Sequence, residues 1–85
     1  MSVRITKQSD GRDTIVRIDG RLRLVNVAEL EKVCESFAGR LTLDLSGLRF
    51  ADADGAAILN QLVSRGALLQ GASPYLQLLL ARAVD

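Results

Sequence analysis

The chain has no histidine and a single cysteine, Cys34. Without histidine, the commonest general base at neutral pH and the commonest zinc ligand are both missing, so most nucleophilic and zinc-dependent sites lose their usual side chains. One thiol cannot form an intrachain disulfide, which fits a reducing compartment. No Gly-x-Gly-x-x-Gly or phosphate-loop stretch is present to cradle a nucleotide. Long apolar runs are missing as well. The opening MSVRITKQSD lacks the apolar core of a signal peptide, and Tyr75 to Val84 falls far short of the ~20 residues a membrane-spanning helix needs. Nor is there an excess of one charge: eleven basic residues face ten acidic ones, and the arginines are scattered, so nucleic-acid binding has no electrostatic footing. Repeats, linkers and low-complexity tracts are absent. These gaps predict a soluble, cytoplasmic protein that is one domain over residues 1–85, with no cofactor, no nucleic-acid partner and no direct membrane insertion.

What is present has the composition of a globular domain. Hydrophobic residues make up 48% and charged residues 25%, so disorder and fibrous architectures are not indicated. Val3 and Ile5 alternate with Arg4 and Thr6, Ser9-Asp10-Gly11-Arg12 supplies turn chemistry, and Thr14, Val16 and Ile18 alternate with Ile15, Arg17 and Asp19. That pattern predicts a β-hairpin with one face covered. From Asn26 the period becomes helical, with Val27, Leu30, Val33, Cys34 and Phe37 on one stripe. Asn26 and Glu29 are spaced as a capping box and Gly39 is placed to end the helix, which predicts helix 1 over Val27 to Ala38. Cys34 then reads as a small core residue, since no basic cluster surrounds it to activate the thiol.

The third predicted strand is Leu41 to Leu45, reached by a crossover from a parallel neighbour. After a polar loop, Ala57, Ile58, Leu59, Leu62 and Val63 mark helix 2, which Gly66 can end. Ala67 to Gln70 is a fourth strand. Ser73 and Pro74 form an N-cap and first helical position for helix 3, whose stripe is Leu76, Leu79, Leu80 and Ala83. The expected fold class is therefore α/β in two layers: a mixed four-stranded sheet with helices on one face, in the order β-β-α-β-α-β-α.

The stretch LTLDLSGLRFADADGAAILNQ, residues 41–61, joins strand to loop to helix and is the candidate functional centre. A helix start presents unpaired N–H groups and the positive end of a dipole. Asp52 and Asp54 stand just before Gly55 and Ala56. Two readings of the carboxylates compete. Asp44, Asp52 and Asp54 could together hold magnesium through oxygen ligands, as in a carboxylate phosphoacceptor. Alternatively Asp44 is solvated on the open sheet face, Asp52 stabilises a turn and Asp54 caps helix 2. The second is favoured, because a receiver-type site also wants a lysine near the end of a later strand, and Lys7 and Lys32 both precede the third strand.

The run Asp44-Leu-Ser-Gly-Leu48, then Phe50-Ala-Asp-Ala-Asp-Gly55, then Ala56-Ala-Ile-Leu59 resembles the STAS domain, the family of bacterial anti-sigma-factor antagonists and of sulfate-transporter cytoplasmic domains. Ile18-Asp-Gly-Arg-Leu22 and Gly71-Ala-Ser-Pro74 extend the resemblance over nearly the whole chain. It implies a non-enzymatic regulatory module whose partner-binding surface surrounds the start of helix 2: Asp52, Ala53, Asp54, Gly55, Ala56, Ile58 and Leu59. It also implies a phosphorylated serine just before the helix glycine, modified by an anti-sigma-factor kinase. Here that position is Asp54, and the preceding serine position is Ala53. Without a hydroxyl the serine switch is not expected to operate. The resemblance leaves two kinds of protein partner open, a kinase-like anti-sigma factor or the ATPase subunit of a lipid-transport complex. A homodimer is a further expectation, because Tyr75 to Leu80 is apolar nearly all round and helix 3 would expose part of that surface.

Overall fold

A computed structural model of the chain describes residues 3–37 and 39–82. The hairpin forms as its alternation predicts: β1 (Val3–Asp10) runs antiparallel to β2 (Asp13–Leu22), with Val3 opposite Gly20 and Asp10 opposite Asp13. The remaining elements are α1 (Leu24–Cys34), β3 (Arg40–Asp44), β4 (Leu48–Ala51), α2 (Ala53–Ser64), β5 (Leu68–Gln70) and α3 (Pro74–Arg82). The sheet is mixed, in the order β1-β2-β3-β5. Its parallel pairs are β2 with β3 and β3 with β5, and β4 also pairs with β2 in parallel.

The α/β class and the single layer of helices stand, and the strand count is corrected from four to five. β4 occupies part of what the sequence presents as loop. It is only four residues long and its register on β2 shifts between Gly20 and Arg21, so its alternation is too brief to show. Its pairing matters: β2 gives its first half to β3 and its last three residues, Gly20 to Leu22, to β4. The chain is thereby carried to the end of β2, beside the start of α1.

Burial follows the two-residue strand period. Val16, Ile18, Leu41 and Leu43 are buried beneath the helices, while Arg17, Asp19, Thr42 and Asp44 lie on the open face. Leu30 of α1, Leu59 and Leu62 of α2 and Leu76 of α3 close the core from the other side. No described helix is long and apolar enough to cross a membrane.

Helix 1 begins and ends earlier than its apolar stripe suggests. Arg23 is the N-cap, and Asn26 is the third helical residue, its Oδ1 accepting from the Arg23 N–H at 3.1 Å. Asn26 thus closes the helix start from inside. The helix stops at Cys34; Phe37 is exposed beyond it, and Ala38, the predicted end, lies outside the described residues. Gly39 has a different duty from the expected helix stop. It adopts φ +70°, and a Cβ there would run into the Arg12 carbonyl oxygen, which accepts a hydrogen bond from Arg40 N at 2.9 Å. The glycine lets the start of β3 pass against the hairpin turn. Helix 3 starts as read: Ser73 Oγ accepts from Leu76 N at 3.2 Å with Pro74 at the first helical position. Ala83 lies outside the described residues.

Candidate functional site

Two helices start side by side at one end of the molecule, and Asp52 holds them together. Its Oδ1 accepts from Gly55 N at 2.7 Å, capping α2, and its Oδ2 accepts from Leu24 N, the first residue of α1, at 3.0 Å. Its own N–H donates to the Leu22 carbonyl at 3.1 Å. Hydrogen bonds from the Gly55, Leu24 and Asp54 amides, together with the charge of Arg23, hold the Asp52 carboxyl below the usual carboxylate range despite partial desolvation. One carboxylate therefore satisfies orphan N–H groups of two helices.

This corrects the expected roles. Asp52, predicted as a turn residue, is the N-cap, and Asp54, predicted as the cap, is the second residue inside α2. The helix begins at Ala53, several residues ahead of its apolar stripe; the first turn, Ala53 to Ala56, is made of small and polar residues that carry no clear periodic signal. Asp54 is exposed, and its carboxylate makes no hydrogen bond or ion pair with a described residue. It stands in the first turn, where a negative charge is favoured by the helix dipole.

The seven predicted partner-binding residues separate into two groups. Ala53 and Asp54 are exposed and Asp52 is partly so. Gly55, Ala56, Ile58 and Leu59 are buried; they hold the loop in place, and the surface is made by their neighbours. Gly55 is required by close approach, since a Cβ there would meet the Leu22 carbonyl oxygen. Along the outer side of α2, a shallow groove runs between the two helices, lined by Leu24, Val27, Asp54, Ala57, Ile58 and Gln61 among others. Leu24, which lines it, is 60% exposed, and its chain neighbour Val25 is 73% exposed. Placing the start of helix 1 at Val27 leaves these two out of the sequence reading. The apolar pair immediately after Arg23, ahead of the helical stripe, was the available signal.

Asp44 lies apart from this arrangement. Its Oδ1 accepts from Ser46 Oγ at 2.7 Å and Ser46 N at 3.0 Å, and these bonds lower its pKa. The three carboxylates of the magnesium reading are thus engaged in separate local motifs or stand alone. Among the described residues, no three acidic or cysteine side chains gather into a group that could hold a metal ion. Cys34 is buried, and burial pushes its thiol up while Lys7 opposes the shift, as suits a core residue.

No family model and no curated protein matches the chain. Solved structures do. The antisigma-factor antagonist STAS domain from Rhodobacter sphaeroides is 19% identical with a TM-score of 0.68, the match covering 81% of this chain and 86% of that one. The anti-sigma factor antagonist SpoIIAA, in its unphosphorylated form, is 14% identical with a TM-score of 0.66, the match covering 94% and 82%. The fold is STAS-like.

Proposed function

We propose that this protein is a non-enzymatic, cytoplasmic regulatory module, a single STAS-like domain that docks on a protein partner through the adjoining starts of α1 and α2. The partner proposed is a kinase-like anti-sigma factor, by analogy with the two antagonists that share the fold. The observation that carries the reading is the division of labour between the loop aspartates. Asp52 does the capping, so Asp54 is left exposed on the same groove as the apolar Leu24 and Val27. An apolar strip with a fixed charge at its edge can give both burial and orientation to a protein contact.

Neither Ala53 nor Asp54 offers a hydroxyl, so no serine switch acts at this loop. Asp54 carries one negative charge, where a phosphoserine would carry about −1.5 to −2 and three strong acceptor oxygens. Affinity at this surface is then set once, by the sequence.

The test is calorimetric titration of the purified chain against one candidate of each kind, a kinase-like anti-sigma factor and a transporter ATPase subunit. Binding to the first is expected, and Ala57→Glu, on the exposed floor of the groove, should abolish it without lowering the melting temperature. Binding to the ATPase subunit alone would replace the proposed partner with the transport assembly. Loss of neither complex on Ala57→Glu would move the docking surface elsewhere.

A further inference from the structure

Helix α3 is held to the core chiefly by Leu76 and Leu80, which are buried, with Leu79 packed partly against them. A second row of side chains flanks that contact, with Leu79 at its border. Tyr75, Leu78, Leu79 and Arg82 line one shallow groove, with Leu78 60% and Tyr75 48% exposed. Their spacing, i, i+3, i+4 and i+7, is that of a helical seam.

We propose that this seam binds a second copy of the chain, with the two α3 helices antiparallel about a two-fold axis. The row is complementary to itself in that direction only. Centred between Leu78 and Leu79, an antiparallel pair sets Leu78 of each copy against Leu79 of the other and brings Arg82 of each over the ring of Tyr75. The ends of the seam then close with two identical cation–π contacts and the centre with four leucines. A parallel pair would set Arg82 against Arg82, placing like charges together at the edge of an apolar contact. Charge therefore selects the direction, and the match of Arg82 to Tyr75 across the two-fold axis is what suits the row to a second copy. A nine-residue helix is too short to bury the ~1,200–2,000 Å² of a stable interface, so the dimer is weak and exchanges rapidly. The proposal is independent of the docking surface at α1 and α2, which lies on other helices.

Sedimentation equilibrium of the full chain between about 10 µM and about 1 mM reads it directly. The average mass should rise from monomer toward dimer over that range. Leu78→Glu should hold it at monomer, and Arg82→Glu should shift the midpoint to at least about tenfold higher concentration, each with an unchanged circular dichroism spectrum. Direction is read by mild oxidation. Leu78→Cys should cross-link to itself, a mixture of Tyr75→Cys and Arg82→Cys should cross-link as a heterodimer, and Arg82→Cys alone should not. A wild type that stays monomeric throughout, association that survives Leu78→Glu, or efficient cross-linking of Arg82→Cys alone would each overturn the proposal.

Discussion

The carboxylate of Asp52 and the amide of Leu24 lie 28 residues apart in sequence and 3.0 Å apart in space. Because the other carboxylate oxygen caps α2, this one contact fixes the start of α1 relative to the start of α2. It ties together the two helix starts that form the proposed docking surface.

Asp52→Ala should therefore cost more than the loss of an ordinary cap. A cap is worth about 0.5–2 kcal/mol, and the unpaired Leu24 amide adds to that, less what water recovers at a partly exposed site. Asp52→Asn keeps an acceptor for one of the two bonds and should be milder. Asp54→Ala, in contrast, should cost no more than the first-turn charge, about 0.3–1 kcal/mol at low ionic strength, partly offset by the higher helix propensity of alanine. Urea denaturation of the three variants gives the order. Equal costs for Asp52→Ala and Asp54→Ala would contradict the assignment of the cap.

Acid should act through Asp52 and Asp44, whose carboxyls titrate below their ordinary range in the folded chain. Each binds its proton more readily in the unfolded state, so their contribution is fully present above about pH 4 and is lost as the pH falls through the depressed native values. Melting temperature measured from neutral pH down should hold level and then fall below about pH 4. In Asp52→Asn that fall should be shallower, with a lower plateau, since one linked proton has been removed. An acid limb of unchanged slope would assign the linkage to other carboxylates.

Gly55→Ala tests how closely α2 approaches β2. The added methyl would meet the Leu22 carbonyl oxygen, which belongs to backbone already bonded to Asp52 N and cannot rotate away. Overpacking of this kind costs about 1–3 kcal/mol, against the small gain alanine brings to a helix. A thermal melt should show a clear loss. An increase would mean that the first turn of α2 has room to shift outward.

Much of this architecture is legible from the chain because local signals agree. The Ser73-Pro74 start of α3 and the hairpin alternation each combine a pattern with a cap or turn residue, while the buried stripe of Leu30 and Cys34 shows through its period alone. The failures share a cause. Asn26 and Asp54 have the chemistry of caps, and both sit inside the first turn, where sequence gives no marker of which polar residue is the half-in one. Arg23 as a cap has no side-chain signature at all, because its helix start is closed by Asn26 and Asp52 from elsewhere. β4 was hidden for another reason: its pairing with β2 is a tertiary fact, and four residues with a shifted register carry no period. The sequence places Asp52 to Leu59 around the start of a helix, but which of them face water depends on the helix phase, and that phase follows from Asp52 being the cap.

Asp54→Ser separates stability from function at the position where the sequence resemblance leads one to expect a serine. The exposed side chain makes no hydrogen bond to a described residue, so the substitution should leave the melting temperature within a few degrees of wild type, losing only a favourable first-turn charge of about 0.3–1 kcal/mol at low ionic strength. Binding should respond more strongly. If a cognate partner presents a cationic group to this edge, removing the carboxylate should weaken the complex and flatten its salt dependence. If it presents an acidic one, affinity should rise. The new hydroxyl also creates a substrate for a serine kinase, and phosphorylation of Asp54→Ser but not of the wild type would show that the kinase still recognises the surrounding surface. Titrations of both proteins at two salt concentrations, with mass spectrometry after incubation with kinase and ATP, make the measurement. Identical affinities and identical salt dependence for a partner that binds both would leave Asp54 outside the contact, and the docking surface would have to be drawn without it.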